Sequence, residues 1–173
     1  MKKAIPSIIG ISICLASGFA ASLLQADAIA NWYPYLEKPA ITPPAWVFPV
    51  AWGIIYVLSG ISLGLVWNRT GVHRKELVTL WGIQQGINFL WSIMFFKMMS
   101  PLPGLITIII LDIVVLRYIV RTWNIERTSS WLFIPYALWL VLATYLKSYI
   151  LAPRVRTNYG YGHHQGTAAH CFW

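Results

Sequence analysis

The segment from Asn31 to Trp52, NWYPYLEKPAITPPAWVFPVAW, is rich in aromatic residues and prolines and separates two long apolar runs of the chain. Each proline fixes the backbone angle φ and pushes the preceding residue toward extended geometry, so the segment is stiff although it has no helix or strand periodicity. The prolines are Pro34, Pro39, Pro43, Pro44 and Pro49. A stiff loop loses little conformational entropy when it closes over a ligand. We therefore expect residues 31–45 to form a lid, with Trp52 in the wall beneath it.

Five apolar runs account for most of the remaining chain, and each is long enough to cross a bilayer as a helix, which takes about 20 residues. The runs are residues 4–24, 46–67, 77–98, 102–120 and 131–151. Of the 173 residues, 58% are hydrophobic and 10% are charged. The mean hydropathy of +0.62 is outside the usual range of soluble domains. The sequence thus predicts an all-α membrane protein, with a five-transmembrane-helix bundle in residues 1–152.

The two ends of the chain differ from the predicted bundle in composition or in possible processing. The first run could instead be a cleaved secretory signal peptide, because Lys2 and Lys3 precede it and small residues occupy positions 20–22. The sequence after Pro153 is polar and glycine-rich and predicts a disordered tail over residues 153–173. That tail holds metal-capable residues whose spacing fits no closed site, so no metal site is predicted. These residues are His163, His164, His170 and Cys171.

The net charge of +8 comes from 13 basic and 5 acidic residues. The basic residues are scattered between apolar runs, which favours contact with anionic lipid over nucleic acid. They concentrate at the N-terminus and after the second and fourth runs, which five spans would place on one side. We therefore predict a bacterial cell-membrane protein with a cytoplasmic N-terminus. Three cations assigned to the segment after the last span oppose this orientation, namely Lys147, Arg154 and Arg156.

The third run carries three amides, Gln84, Gln85 and Asn88, where polar side chains face a bundle interior or a partner. At about 100° per residue, one sector of this helix combines amide, hydroxyl and aromatic side chains and is predicted to line a cavity. Its members are Gln84, Asn88, Trp91, Ser92 and Phe95.

Two pairs of glycines have the GxxxG spacing that lets a second helix approach closely. Gly82 and Gly86 lie roughly opposite the polar sector of the third run, and Gly60 and Gly64 lie on the second run. Either pair could pack within one bundle or form a homodimer interface, for which we favour Gly82 and Gly86.

Two other runs carry aromatic stripes at helical spacing. They consist of Phe48, Trp52, Tyr56 and Ser59 on the second run and of Tyr136, Trp139 and Ala143 on the fifth. Trp52, Trp91 and Trp139 lie away from the ends of their runs, so we interpret them as ligand-lining residues and not as interfacial anchors. Asp112 interrupts the fourth run and is either a functional carboxylate or an acceptor for a neighbouring helix.

Several catalytic and cofactor motifs are missing from the sequence. It contains no GxSxG, HExxH, CxxC, Walker or Rossmann motif. Its four histidines all fall in predicted loops or in the tail, which excludes a haem held by an axial histidine inside the bundle. A flat aromatic ligand without a histidine ligand stays possible.

Four motifs in order resemble the translocator protein family, also called tryptophan-rich sensory proteins or peripheral-type benzodiazepine receptors. They are WYPYLEKPAITPPAW, VAWGIIY, INFLWSIMFF and IPYALWLVLATYL, and the resemblance covers residues 5–149. It implies five transmembrane helices, usually in a dimer, and a pocket beneath the first loop. That pocket would bind protoporphyrin, related tetrapyrroles and synthetic benzodiazepine-site ligands, with no required cofactor. The residues implied to line it are Tyr33, Pro43, Trp52, Asn88, Tyr136, Trp139 and Ala143.

The resemblance leads to two hypotheses. The first is a tetrapyrrole-binding membrane protein that senses, sequesters or transports porphyrins, with the ring stacked on Trp52 and Trp139 and its carboxylates near Lys38 at the mouth. The alternative is an enzyme of light-dependent porphyrin degradation, in which the same two tryptophans would be catalytic. A solute channel is a third and weaker class, because the interior offers little charge beyond Asp112. The cholesterol motif of animal members is matched only in its most permissive form, by Leu146, Tyr149 and Arg154.

Overall fold

The computed structural model describes residues 3–36, 39–71, 73–98 and 100–151, which contain five α-helices. The helices are α1 (Ile5–Asn31), α2 (Val47–Trp67), α3 (His73–Ser92), α4 (Pro101–Trp123) and α5 (Arg127–Leu151). A 3₁₀ turn, Tyr33–Tyr35, follows α1, and a π-helical segment, Ile93–Lys97, continues α3. The prediction of an all-α fold is confirmed. The predicted tail, with its histidines and Cys171, lies outside the described residues.

Among the described residues, α1, α2, α4 and α5 are long and apolar enough to cross a membrane. The protein is therefore an integral membrane protein. Helix α3 has 20 residues but is less apolar than the other four helices, since it begins with the polar stretch HRKE and carries the buried amides Gln84, Gln85 and Asn88. The run predicted as the third span is thus present as a helix without the hydropathy of the other spans.

Helix α1 is longer than the apolar run that predicted it. The run ends at residue 24, whereas the helix continues to Asn31, whose side-chain amide donates to Asp27 Oδ1 at 2.7 Å. Backbone hydrogen bonding decides where a helix ends, so polar residues extend α1 past the apolar run. The helix therefore reaches the first residue of the predicted lid, and residues 32–46 connect it to α2.

The π-helical segment at the end of α3 was not predicted, and it redirects the aromatic side chains there. The backbone N–H of Met98 donates to the carbonyl of Ile93, five residues earlier, at 3.1 Å. A π turn is wider than an α turn. Phe95 is fully buried and stacks on Trp91 with ring centroids 6.2 Å apart, while Phe96 meets Phe95 edge-on at 4.8 Å.

The helices pack in a ring, in which α1 contacts α2, α2 contacts α5, α5 contacts α4, α4 contacts α3, and α3 with its π-helical segment returns to α1. Helices α1 and α2 approach closely at glycines. A Cβ atom on Gly10 would lie 2.9 Å from the carbonyl oxygen of Gly60, and one on Gly64 would overlap Ser7. Glycines on both helices thus allow the close contact between α1 and α2.

The two GxxxG pairs have different surroundings. Gly60 and Gly64 are covered by α1 of the same chain, which is the packing that small residues permit. Gly82 and Gly86 are exposed, and a Cβ atom on either would meet nothing within 4 Å. Gly60 and Gly64 of α2 therefore pack within the bundle, whereas a homodimer face at Gly82 and Gly86 of α3 stays a prediction.

Two ion pairs connect neighbouring elements at the end of the bundle opposite the lid. Arg69, after α2, pairs with the buried Glu126, which precedes α5. Arg121 on α4 donates to both carboxylate oxygens of Glu76 at 2.7 and 2.6 Å. Part of the basic charge at this end is therefore neutralised within the chain.

Candidate functional site

A cavity of about 630 Å³ lies between α1, α2 and α5, beneath the loop that joins α1 to α2. Trp91 and Ser92 at the end of α3, and Phe96 of the π-helical segment, complete its lining. Both α1 and α5 line the cavity, yet they do not pack on each other within the described ranges. The volume is typical of a small-molecule site, which usually measures about 300–1,000 Å³.

Trp52 is the centre of an aromatic wall. Its ring centroid lies 5.6 Å from that of Tyr56, 5.9 Å from that of Trp91 and 6.1 Å from that of Tyr136. On the α5 side, Trp139 packs edge-on against Phe48 at 5.5 Å. Tilted and edge-on ring pairs at these distances stabilise one another. The wall is thus formed before any ligand arrives.

The structure brings five of the seven predicted pocket residues to the cavity, namely Tyr33, Pro43, Trp52, Trp139 and Ala143. It places the other two behind the wall. Asn88 Nδ2 donates to Tyr136 Oη at 2.8 Å, and both side chains are nearly fully buried. Since the Tyr136 ring contacts Trp52, this hydrogen bond supports the wall from behind.

The other amides of α3 join helices and do not face the cavity. Gln85 Nε2 donates to Ser17 Oγ of α1 at 2.6 Å, and Gln84 Nε2 to Ser59 Oγ of α2 at 3.4 Å. The polar sector predicted on α3 therefore reaches the cavity only at its end nearest the lid. Polar side chains inside a membrane bundle find partners on neighbouring helices, which explains the difference.

The lid contributes Tyr33, Thr42, Pro43 and Ala45 to the cavity. Tyr33 packs against Phe95 and Phe96, with ring centroids 6.5 and 5.9 Å apart. Burial raises the pKa of the Tyr33 phenol, so this residue keeps its proton at neutral pH. Lys38, predicted to meet ligand carboxylates at the mouth, lies outside the described residues.

Helix α1 supplies a wall that the sequence reasoning missed. Its cavity-lining residues are Leu15, Gly18, Phe19, Ala21, Ser22, Gln25 and Ile29. A signal was available, because Gly18, Ser22, Gln25 and Ile29 recur at intervals of four, three and four along one helix face. Because members of that face such as Gly18 and Ser22 have small side chains, they leave space for a ligand.

Lys147 is the second missed residue. The sequence predicts that it follows the last span, whereas it belongs to α5, lines the cavity and is 5% exposed. Its Nζ lies 2.8 Å above the ring centroid of Phe95. No periodicity marked it, because a lysine near a helix end usually extends to the membrane surface.

Asp112, the carboxylate within the fourth run, does not line the cavity. Asp112 Oδ2 accepts a hydrogen bond from Thr144 of α5 at 2.7 Å, which fits the structural alternative for this carboxylate. The described residues include no cluster of three metal-ligating side chains. Of the permissive cholesterol motif, Leu146 lines the cavity, Tyr149 is 41% exposed, and Arg154 lies outside the described residues.

Comparison with known proteins shows which family the chain resembles. A family model described as the TspO/MBR family matches residues 10–152. A protein named tryptophan-rich protein TspO from Archaeoglobus fulgidus is 40% identical over 83% of this chain and 92% of its own length. One of the same name from Chlorobaculum tepidum is 35% identical over 87% and 96%. A tryptophan-rich sensory protein from Cereibacter sphaeroides is 29% identical over 78% and 82%.

Proposed function

Because this chain belongs to the TspO/MBR family, we propose that it is a membrane receptor whose cavity beneath the lid binds protoporphyrin or a related tetrapyrrole. The name of the Cereibacter sphaeroides relative supports a sensory role. Sequestering or transporting the same ligand would use the same cavity.

The observation that carries the proposal is the pair of tryptophans, Trp52 and Trp139, on the wall of one preformed aromatic cavity. A porphyrin is a large apolar plate with two carboxylates at one edge. Its faces gain from contact with indole rings, and a preformed wall reduces the entropy lost on binding. Synthetic benzodiazepine-site ligands, which are also flat and aromatic, should compete for the same space.

The test is a fluorescence-quenching titration of the purified protein with protoporphyrin in the dark. Replacing both Trp52 and Trp139 by leucine should weaken binding at least tenfold, about 1.4 kcal/mol. A matched control replaces Trp46 and Trp131, which are 67% and 59% exposed, and should keep the wild-type affinity. Equal affinities for the two double variants would contradict the proposal.

A second candidate function is light-dependent oxidative degradation of the bound porphyrin, with dioxygen as the oxidant. It is favoured by Trp52 lying 5.9 Å from Trp91, which offers neighbouring indoles to an excited ligand. Product formation under illumination, compared between wild type and Trp139→Phe, tests it. Turnover that needs light and falls in the variant supports an enzyme, whereas binding without turnover supports a receptor.

We further propose that α3 is the fifth transmembrane span and that its open Gly82 and Gly86 face forms a homodimer. The proposed orientation places the N-terminus in the cytoplasm and the lid on the opposite side of a bacterial cell membrane. The supporting features are the basic residues at the N-terminal end of the bundle and the exposed glycines of α3.

A further inference from the structure

Lys147 has surroundings that are unusual for a lysine. Its ammonium lies 2.8 Å above the centre of the Phe95 ring. Three more ring centroids, those of Trp91, Phe96 and Tyr33, lie at 5.3, 5.3 and 5.7 Å. The side chain is 5% exposed, so these rings replace most of the water that a lysine normally contacts.

The ammonium has no anionic partner in the part of the chain that the structure describes. The ion pairs found there join Arg69 to Glu126 and Arg121 to Glu76, both at the other end of the bundle. Burying a cation without a counterion is unfavourable, and contact with aromatic faces offsets only part of that cost. Lys147 is therefore a donor whose hydrogen-bonding capacity is largely unused.

Lys147 also borders the cavity. Three of the four residues whose rings surround its ammonium, Tyr33, Trp91 and Phe96, line the same cavity. A ligand in the cavity therefore lies next to a lysine that has no carboxylate partner among the described residues. Trp91, which lines the cavity next to Lys147, has an indole N–H without a partner among the described residues, so this corner holds two unsatisfied donors.

We propose that Lys147 binds a carboxylate of the ligand, so that the cavity selects apolar acids over the corresponding neutral esters. The acid group supplies the counterion that the aromatic box lacks, and the apolar body of the ligand lies against the tryptophan wall. For a tetrapyrrole dicarboxylate this inference rests on the proposed function. It places one carboxylate beneath Tyr33, inside the lid, instead of at the outer mouth.

The experiment compares two pairs of probes on the purified full-length protein. One pair is protoporphyrin and its dimethyl ester, and the other is dansylaminoundecanoic acid and its methyl ester. Wild type should bind each acid at least tenfold more tightly than its ester. Lys147→Met should weaken binding of the acids at least tenfold and leave the esters unchanged, while Lys147→Arg should retain the preference.

The matched control is Lys97→Met, which removes an exposed cation from the same end of the bundle and should keep the full preference for acids. Circular dichroism and gel filtration establish that each variant is folded, and Lys147→Gln replaces the methionine variant if that one is not.

Each outcome decides between the two proposals. Equal binding of acid and ester by wild type, or a preference that survives in a folded Lys147→Met protein, overturns the role of Lys147. If protoporphyrin does not bind but the dansyl acid binds in a Lys147-dependent way, the tetrapyrrole proposal fails and the role of Lys147 stands. If neither acid binds, both proposals fail.

Discussion

At the scale of single residues, Tyr136 and Asn88 show how the wall is supported. Removing the hydroxyl in Tyr136→Phe leaves the buried Asn88 amide without its acceptor. Hydrogen bonds between membrane helices contribute about 0.6 kcal/mol on average and up to about 1.7 kcal/mol. We therefore expect a lower thermal unfolding midpoint in detergent, measured by circular dichroism. Tyr145→Phe, at a half-exposed position of the same helix, is the matched control and should not change the midpoint.

Asp112 gives a second prediction at this scale. In Asp112→Asn the amide oxygen can still accept from Thr144 Oγ1, and residue 112 does not line the cavity. Substitutions away from a site usually change free energies by less than about 0.5 kcal/mol, so porphyrin affinity should stay within about twofold of wild type. A loss of affinity as large as that of the double tryptophan variant would point to a functional carboxylate.

Individual residues were predictable where spacing alone fixes a helix face. Trp52 and Trp139 recur with other aromatic residues at helical intervals, and the cavity contains both. Lys147 was not predictable, because its side chain is long enough to reach either water or the interior. Asn88 was placed on the correct helix face, but sequence could not tell a cavity from a hydrogen-bonding partner on α5.

At the scale of elements, the glycines of α2 and α3 provide a matched pair of variants. Gly60→Leu should prevent α1 from docking, since even a Cβ atom there would overlap the backbone of Ile11. Gly82→Leu should leave the monomer folded, because its surroundings are open. If α3 forms the homodimer face, Gly82→Leu should also dissociate the dimer.

Thermal unfolding and light scattering of detergent-solubilised protein separate these effects. Overpacking in a close helix contact costs about 1–3 kcal/mol or more, so Gly60→Leu should be unstable or poorly expressed. A stable Gly60→Leu protein would contradict the α1–α2 contact, and a dimer that persists in Gly82→Leu would argue against the α3 face.

The elements themselves followed from hydropathy, but their ends did not. Apolar runs give the length of a membrane segment, whereas α1 continues through Asp27 to Asn31 with hydrogen bonds of its own. The π-helical segment after Ser92 has the same apolar composition as an α-helix, so sequence could not indicate its wider turn.

At the scale of the whole molecule, the topology can be tested by labelling single cysteines from outside intact cells. Cys14 is fully buried, and Cys171→Ser removes the other natural thiol. If α3 spans the membrane, Thr70→Cys and Met98→Cys lie on opposite sides. An impermeant maleimide should label Met98→Cys and Tyr35→Cys but not Thr70→Cys. Equal labelling at positions 70 and 98 would show that α3 does not span.

The overall class was predictable because long apolar runs leave few alternatives to a helical bundle. The cavity was predictable only in part. Aromatic spacing indicated walls on α2 and α5, but the contribution of α1 depends on which helices neighbour each other in the ring. That arrangement comes from close contacts such as Gly10 with Gly60, and hydropathy contains no information about it.

The gap between α1 and α5 affects how affinity must be measured. Leu15 and Phe19 line the cavity and are 45% and 67% exposed, so we expect the cavity to open between α1 and α5 toward the acyl chains. A hydrophobic ligand dissolved in the bilayer can then enter sideways without passing through water. Its effective concentration depends on how it partitions between water and lipid. Dissociation constants obtained at different amounts of lipid or detergent become comparable only when ligand is expressed as a mole fraction of the membrane phase.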